Sequence, residues 1–127
     1  MNILLVDDSP STRSLIQHIL QEHPKVKEFR FLLAENGEVA LNILSNSSVD
    51  VIFLDWNMPI MDGEQLIYNI RNDKRNNHIK IILATAEGSK EKVLTMVKKG
   101  ISAYLLKPLE KSSLTEAFNV ALKQLNS

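Results

Sequence analysis

Two adjacent acids, Asp7 and Asp8, directly follow an apolar run at residues 3–6. The next two residues, Ser9 and Pro10, are typical of the start of a helix, whose positive N-terminal end would lie near both carboxylates. Such a pair of acids can stabilise the helix terminus, or it can hold a cation. The residues of this stretch leave both uses open.

Three other polar residues, Asp55, Thr85 and Lys107, also come directly after apolar runs. Taken singly, each has an ordinary structural role as a helix cap, a strand residue or a surface charge. If the runs end at one place, however, Asp55 joins Asp7 and Asp8, and two carboxylates about 5 Å apart repel by roughly 3 kcal/mol. One lysine leaves an excess of negative charge and of oxygen ligands, which suits Mg²⁺. The set therefore predicts a magnesium site.

The elements that must position these residues alternate along the chain. Five short and mostly continuous apolar runs are typical of parallel strands covered on both faces. They lie at residues 3–6, 29–34, 51–54, 79–84 and 103–106. Five stretches with helical spacing of apolar residues follow them, at Leu15, Ile16, Ile19 and Leu20; Val39, Ala40, Ile43 and Leu44; Leu66, Ile67 and Ile70; Val93, Leu94 and Val97; and Leu114, Ala117, Phe118 and Ala121.

This alternation predicts an α/β fold: a doubly wound (βα)5 five-stranded parallel sheet with helices on both faces. In such a sheet, functional residues gather at the carboxyl ends of the strands, near the point where the strand order reverses. All five polar residues described above follow predicted strands. We therefore expect them at one edge of the sheet.

Composition restricts the class of protein further. The 127 residues fit one domain, expected at residues 1–127 without an output domain. The 15 basic and 15 acidic residues balance, so no net charge favours binding to nucleic acid or to a membrane surface. The absence of cysteine excludes disulfides and thiolate chemistry. The apolar runs are far shorter than the roughly 20 residues of a membrane span, and the N-terminus lacks a signal-peptide pattern. We expect a soluble, cytoplasmic protein.

The three histidines, His18, His23 and His78, are scattered over predicted helix and loop positions without the spacing of metal ligands. We interpret them as surface residues and expect no zinc site. No segment has acids at the alternate positions of an EF-hand loop, so a calcium site of that kind is not expected either.

Five motifs, in the order VDDSPSTR, AENG, LDWNMPIMDG, ATAEGSKEK and AYLLKP, give the whole chain a resemblance to response-regulator receiver domains, and among them to the single-domain chemotaxis type. The stretch DWNMPIMDG is the strongest single match. The resemblance implies the flavodoxin-like strand order 2-1-3-4-5. It also implies that the protein receives a phosphoryl group on an aspartate, catalysing only its own phosphorylation and dephosphorylation.

The resemblance assigns a role to each site residue. Asp55 would be the phosphoacceptor. Asp8 and Asp55 would bind Mg²⁺ directly, Asp7 would bind it through water, and Asn57 would contribute its backbone carbonyl. Lys107, the Thr85 hydroxyl and the backbone N–H of Ala86 would contact the phosphoryl oxygens. Asn57 and Glu87 would tune the phosphoryl lifetime, Thr85 and Tyr104 would form the conformational switch, and the Lys107–Pro108 bond would be cis.

Partners follow from the same resemblance. A histidine kinase or a histidine phosphotransfer protein would donate the phosphoryl group. A target that depends on phosphorylation would bind the face formed by the fourth helix, the fifth strand and the fifth helix. The flagellar motor switch is the first candidate for this target. The expected state is a monomer. A basic patch on that face would attract an acidic peptide: Lys90, Lys92, Lys98, Lys99 and Lys123. Because Leu109 stands where the chemotaxis type has an aromatic residue, a phosphorelay intermediate or a phosphate sink remains an alternative.

Two other classes of protein share parts of this pattern. A magnesium-dependent aspartyl-phosphate phosphatase also uses an aspartate after a parallel strand, but it carries a second acid two residues later as proton donor, and Asn57 occupies that position here. A flavodoxin-like FMN-binding module would need a phosphate cradle in the first loop, where Asp7 and Asp8 would repel the phosphate. The signalling phosphoacceptor is the preferred interpretation.

Overall fold

Parallel strands and helices alternate along the chain in a computed structural model, which describes residues 1–86 and 88–126. The strands are β1 (Asn2–Val6), β2 (Arg30–Ala34), β3 (Val51–Asp55), β4 (Lys80–Thr85) and β5 (Ala103–Leu106). The helices are α1 (Pro10–Gln21), α2 (Gly37–Asn46), α3 (Gly63–Arg71), α4 (Lys90–Lys98) and α5 (Lys111–Leu125). The strand ends differ from the predicted ones by at most one residue.

The five strands form one parallel sheet in the order β2-β1-β3-β4-β5. This order confirms the doubly wound topology, and it places the reversal of strand order between the neighbouring strands β1 and β3. The pairing of Val6 with Leu54 aligns the ends of these two strands, and the pairing of Thr85 with Leu106 aligns the ends of β4 and β5. Residues that directly follow the strands therefore come to one edge.

Helices cover both faces of the sheet, as the continuous apolar strands predict. On one face, α1 and α5 enclose a core in which the Phe118 ring lies 6.1 Å from that of Phe53 and 5.3 Å from that of Phe29. On the other face, α2, α3 and α4 pack over β-strand residues such as Ile52, together with Leu66 of α3. With strands fixed between two cores, the loops at the carboxyl edge are held at both ends.

Side-chain caps begin the helices at the residues that the local sequence favours. The Ser9 hydroxyl accepts a hydrogen bond from the Thr12 N–H and begins α1, so the two preceding acids are not the cap of this helix. Asn36 caps α2 and Asp62 caps α3 in the same way. Gly100, with φ of 100°, follows α4 and allows the chain to turn into β5.

Some residues lie elsewhere than the sequence predicts. Leu15, Leu94 and Val97, which count towards the apolar helix faces, are 42%, 53% and 53% exposed. His23, expected at the surface, is partly exposed, and its ring packs against Phe29 and Phe118 with centroid separations of 5.4 and 5.3 Å. Among the described residues, no helix has both the length and the apolar character that crossing a membrane requires.

Candidate functional site

The three acids that the sequence predicts at the carboxyl edge lie together. Asp7 directly follows β1, Asp55 is the last residue of the neighbouring strand β3, and both are buried, whereas Asp8 is exposed. One carboxylate oxygen from each of the three lies within 4.8 Å of the others. The convergence follows from the register of β1 and β3, which sets Asp7 and Asp55 side by side.

Lys107 supplies a positive charge to this cluster from the end of β5. Its Nζ donates to Oδ2 of Asp7 at 3.1 Å and lies 3.3 Å from Oδ1 of Asp55. Its backbone N–H donates to the carbonyl oxygen of Thr85 at 2.9 Å, which fixes the chain as it leaves the sheet. The Lys107–Pro108 bond is cis, as the resemblance implies. The ammonium thus bridges the two buried acids.

The pKa values show how the charges balance. Burial, and after it the negative charge of Asp7, raise the pKa of Asp55, although Lys107 acts in the opposite direction. Burial alone would lower the pKa of Lys107, but its hydrogen bond to Asp7 and the charges of both acids outweigh burial and raise that pKa. The ammonium is held protonated, yet it does not fully compensate the buried carboxylates.

This donor set fits a hard divalent cation. The cluster offers oxygen ligands, and its three acids carry more charge than the Lys107 ammonium that contacts two of them. Mg²⁺ favours carboxylates and water in such a shell, with room left for phosphate oxygens. Asn57, expected to add its backbone carbonyl, lies on the exposed loop two residues after Asp55, and its backbone N–H hydrogen bonds to the Asp55 carboxylate.

The residues expected to contact a phosphoryl group end the next strand. Thr85 is the last residue of β4, is 3% exposed, and follows Ala84, which pairs with Asp55 across the sheet. Ala86 comes next and is exposed at the same edge. Glu87, assigned to lifetime tuning, lies outside the described residues.

The loop after Asp55 is fixed by close backbone packing. A side chain at Gly63 would come 2.7 Å from the carbonyl oxygen of Asp55, so glycine is needed for α3 to approach the end of β3. Ile60 in this loop has φ of 70°, an unfavourable conformation for a β-branched residue, and the N–H of Met61 donates across it to the Pro59 carbonyl at 2.7 Å. The Ile60 side chain is 73% exposed.

Two residues of the first motif make contacts with Asp7 that the sequence did not predict. The backbone N–H of Ser9 donates to Oδ1 of Asp7 at 2.9 Å, and Nη1 of Arg13 donates to the carbonyl oxygen of Asp7 at 2.5 Å. The Ser-Pro pair could have identified Ser9 as the N-cap of α1. No sequence pattern distinguishes Arg13 from an ordinary helix arginine.

The expected partner face has an apolar centre. A shallow groove of about 460 Å³ runs between α4, β5 and α5, with Val97, Tyr104 and Val120 among its lining residues. Two lysines of the basic patch predicted there make contacts away from this groove. Nζ of Lys99 lies 2.5 Å from Oε1 of Glu64 on α3, and Nζ of Lys92 lies 5.8 Å from the centroid of the Trp56 ring beside the acidic cluster.

Trp56, the only tryptophan, is half-buried directly after Asp55 and should report cation binding. We expect Mg²⁺ to change its emission with saturation, since a cation relieves the carboxylate repulsion beside the ring. Asp8→Ala removes one candidate ligand and should weaken the apparent affinity about tenfold or more, as measured by fluorescence titration. Asp73→Ala, an acid paired with Arg75 after α3, is the control and should titrate like the parent. Equal curves for parent and Asp8→Ala would remove Asp8 from the metal shell.

Comparison with known proteins gives consistent similarities over nearly the whole chain. The family model described as response regulator receiver domain matches residues 3–119. Chemotaxis protein CheY1 of Helicobacter pylori is 37% identical, over 96% of this chain and 97% of the relative. A chemotaxis protein CheY homolog of Campylobacter jejuni is 38% identical, over 91% and 88%. The solved structure of Vibrio cholerae chemotaxis protein CheY4 aligns with a TM-score of 0.82 at 30% identity, over 93% and 95% of the two chains.

Proposed function

The chain belongs to the response regulator receiver domain family, and on this premise we propose that it is a phosphoacceptor signalling protein. A histidine kinase or histidine phosphotransfer protein would transfer a phosphoryl group to Asp55 in the presence of Mg²⁺. The observation that carries the proposal is the cluster of Asp7, Asp8 and Asp55 within 4.8 Å, with Lys107 3.3 Å from Asp55. The proposed site of action is the cytoplasm.

The transfer needs little from the protein beyond position and charge. An oxygen of the ionised Asp55 carboxylate attacks the phosphorus, and the P–O bond forms as the P–N bond to the donor imidazole breaks. The imidazole leaves with the electron pair of that bond. An ionised carboxylate needs no general base, so alignment of the two partners and neutralisation of charge remain as the protein's contribution.

Each site residue has a part in that alignment. A bound Mg²⁺ would neutralise charge between Asp55 and the phosphoryl oxygens, held by Asp8 and Asp55 directly, by Asp7 through water and by the carbonyl of Asn57. Lys107 would move from its contact with Asp55 to a phosphoryl oxygen. The Thr85 hydroxyl and the Ala86 N–H, at the end of the adjacent strand, would donate to the others.

We further propose that the protein is not an enzyme that turns over external phosphate esters. Such turnover would need a proton donor for the leaving alcohol, and Asn57 provides none at the position two residues after the nucleophile. The expected chemistry is limited to one phosphoryl group per chain and its hydrolysis, with Asn57 and Glu87 tuning the lifetime.

The named relatives are chemotaxis proteins, which supports a target in chemotaxis, and the flagellar motor switch is the first candidate. The exposed groove between α4, β5 and α5 is the proposed binding face. Phosphoryl transfer between histidine proteins, or a role as a phosphate sink, is the alternative. Binding of the motor switch protein to the phosphorylated chain would separate the two, because neither alternative requires that complex.

Acetyl phosphate, a small phosphoryl donor, tests the proposal without the cognate kinase. With Mg²⁺ present, intact-mass measurement should show one added phosphoryl group per chain, and with the metal chelated by EDTA the label should fall to background. The same chain unfolded in urea is the control, and it should remain unlabelled because the acids no longer converge. Labelling of the EDTA-treated protein at the full rate would refute the magnesium-dependent mechanism.

A further inference from the structure

The peptide unit between Asp7 and Asp8 determines where both acids point. Asp7 extends the pairing of β1 by one hydrogen bond, from its N–H to the carbonyl oxygen of Ala34 at 3.1 Å. Its own carbonyl oxygen accepts from Nη1 of Arg13 at 2.5 Å. Because a peptide unit is planar, fixing that oxygen also fixes the direction of the bond from the Asp8 nitrogen to its Cα atom.

The Asp7 carboxylate is held at two further points of contact, whereas the Asp8 carboxylate has no such contact among the described residues. Oδ1 of Asp7 accepts from the Ser9 N–H at 2.9 Å, and Oδ2 accepts from Lys107 at 3.1 Å. The carboxylate of Asp7 therefore keeps its orientation without help from Arg13. Asp8 is exposed, so its place in the cluster depends on the peptide plane that Arg13 holds.

The Arg13 backbone is itself fixed in the first turn of α1. Its backbone N–H donates to the Ser9 carbonyl at 3.2 Å, and its side chain is half-buried. Its Nε is buried and makes no hydrogen bond to any of the described residues, which is unfavourable for an arginine kept only for packing. The contact with Asp7 is the hydrogen bond that this guanidinium does make.

We propose that Arg13 is a positioning residue for the cation site, acting through the peptide plane that joins Asp7 to Asp8. The inference rests on the proposed function, since it concerns the same Mg²⁺ site. Two properties of Arg13 act in opposite directions: its hydrogen bond aligns a ligand, whereas its positive charge disfavours a cation nearby. The direction of the change in Mg²⁺ affinity on substitution therefore tells the two apart.

The experiment is a Mg²⁺ titration of Trp56 fluorescence in Arg13→Met, Arg13→Lys and the parent. If Arg13 positions Asp8, Arg13→Met should raise the apparent dissociation constant about tenfold or more, as loss of an outer-shell partner does. Arg13→Lys keeps the positive charge but loses the planar guanidinium with its several N–H donors. Its apparent dissociation constant for Mg²⁺ should therefore lie between those of the parent and Arg13→Met. Arg30→Met removes an exposed charge at the other end of the sheet and should bind like the parent.

An unchanged or tighter constant in Arg13→Met would overturn the inference, because it would leave only a structural or electrostatic role. If that variant does not fold, Arg13→Lys decides by the same criterion. A second readout needs no metal: in the metal-free protein, the 15N chemical shift of the Asp8 amide, which belongs to the peptide unit whose oxygen Arg13 holds, should change in Arg13→Lys while the shifts of core amides stay unchanged. An unaltered shift of the Asp8 amide would also overturn it. A parent that gives no saturable Mg²⁺ response would instead refute the proposed function, on which the inference rests.

Discussion

Asp55→Asn should abolish phosphorylation by acetyl phosphate and at the same time stabilise the fold. The amide has nearly the shape of the carboxylate but lacks the nucleophilic oxygen, so labelling should fall to background, a loss of at least about a hundredfold. Asp8→Asn is the control for a missing charge. It weakens the metal site but leaves the nucleophile, so its labelling should recover partly at high Mg²⁺ concentration, whereas that of Asp55→Asn should not.

The stabilisation follows from the burial of Asp55 and from the charges around it. Burial disfavours the charged carboxylate most, the negative charge of Asp7 adds to this effect, and Lys107 at 3.3 Å offsets only part of it. The charged form of Asp55 is therefore disfavoured in the folded protein, and the neutral amide removes this unfavourable effect. Lys107 keeps its contact with Asp7 in the variant. Thermal unfolding should show a melting temperature a few degrees higher.

The pH dependence gives an independent check. Burial and the charge of Asp7 raise the pKa of Asp55 above the ordinary value of 3.8, so the folded protein binds this proton more readily than the unfolded chain. Stability from this group is therefore fully present below 3.8 and is lost as the pH rises through the raised pKa. The advantage of Asp55→Asn should be present at neutral pH and shrink towards acidic pH. An advantage that grows on acidification would contradict the assignment.

The fold was predictable because its signals are local and redundant. Each strand contains a continuous apolar run, and Ser9, Asn36 and Asp62 mark the starts of three helices by their capping side chains. The burial of single helix positions was less predictable. Leu94 and Val97 satisfy the helical period, but α4 lies near the edge strand β5, where the sheet covers only part of the helix. Periodicity identifies the helix without showing how much of each face is covered.

The acidic cluster was predictable for a related reason. Asp7, Asp55 and Lys107 each come directly at the end of a strand, so parallel pairing alone brings them to one edge. The contact of Arg13 with the backbone of Asp7 has no such signal, because a carbonyl oxygen is present at every residue. The positive φ of Ile60 could not be predicted either, because a β-branched residue rarely adopts that conformation.

The conformational switch is the second large effect that we expect, and it links the acidic edge to the groove. Tyr104 pairs with Leu83, and Thr85 lies two residues further along the same strand, so Thr85 and Tyr104 share one face of the sheet. Thr85 is buried, whereas the Tyr104 ring is 46% exposed. When the Thr85 hydroxyl moves to donate to a phosphoryl oxygen, the space it leaves should admit the Tyr104 ring, and the groove changes shape.

A partner responds to this exchange only if it binds the two states with different affinities. Coupling between two sites in one domain is typically about 1–3 kcal/mol, which is roughly 5- to 150-fold in affinity. We expect the motor switch protein to bind more tightly by a factor in this range when beryllofluoride and Mg²⁺ occupy the site in place of a phosphoryl group. Thr85→Ala should lose most of that enhancement, while binding in the absence of beryllofluoride should be unchanged.

Thr85→Ser is the matched variant, because it keeps the hydroxyl and removes only the methyl group, so it should retain the enhancement. The chain has two tyrosines, and Tyr68→Phe leaves Tyr104 as the only one, so its ring can be followed by NMR in every variant. With beryllofluoride the Tyr104 ring should become less accessible to solvent in the parent and in Thr85→Ser, and remain accessible in Thr85→Ala. The contrary result would be a full rise in affinity for the motor switch protein in Thr85→Ala while the Tyr104 ring stays exposed. The partner would then distinguish the states with and without beryllofluoride although the ring does not move, so the signal would reach α4 and β5 without Tyr104.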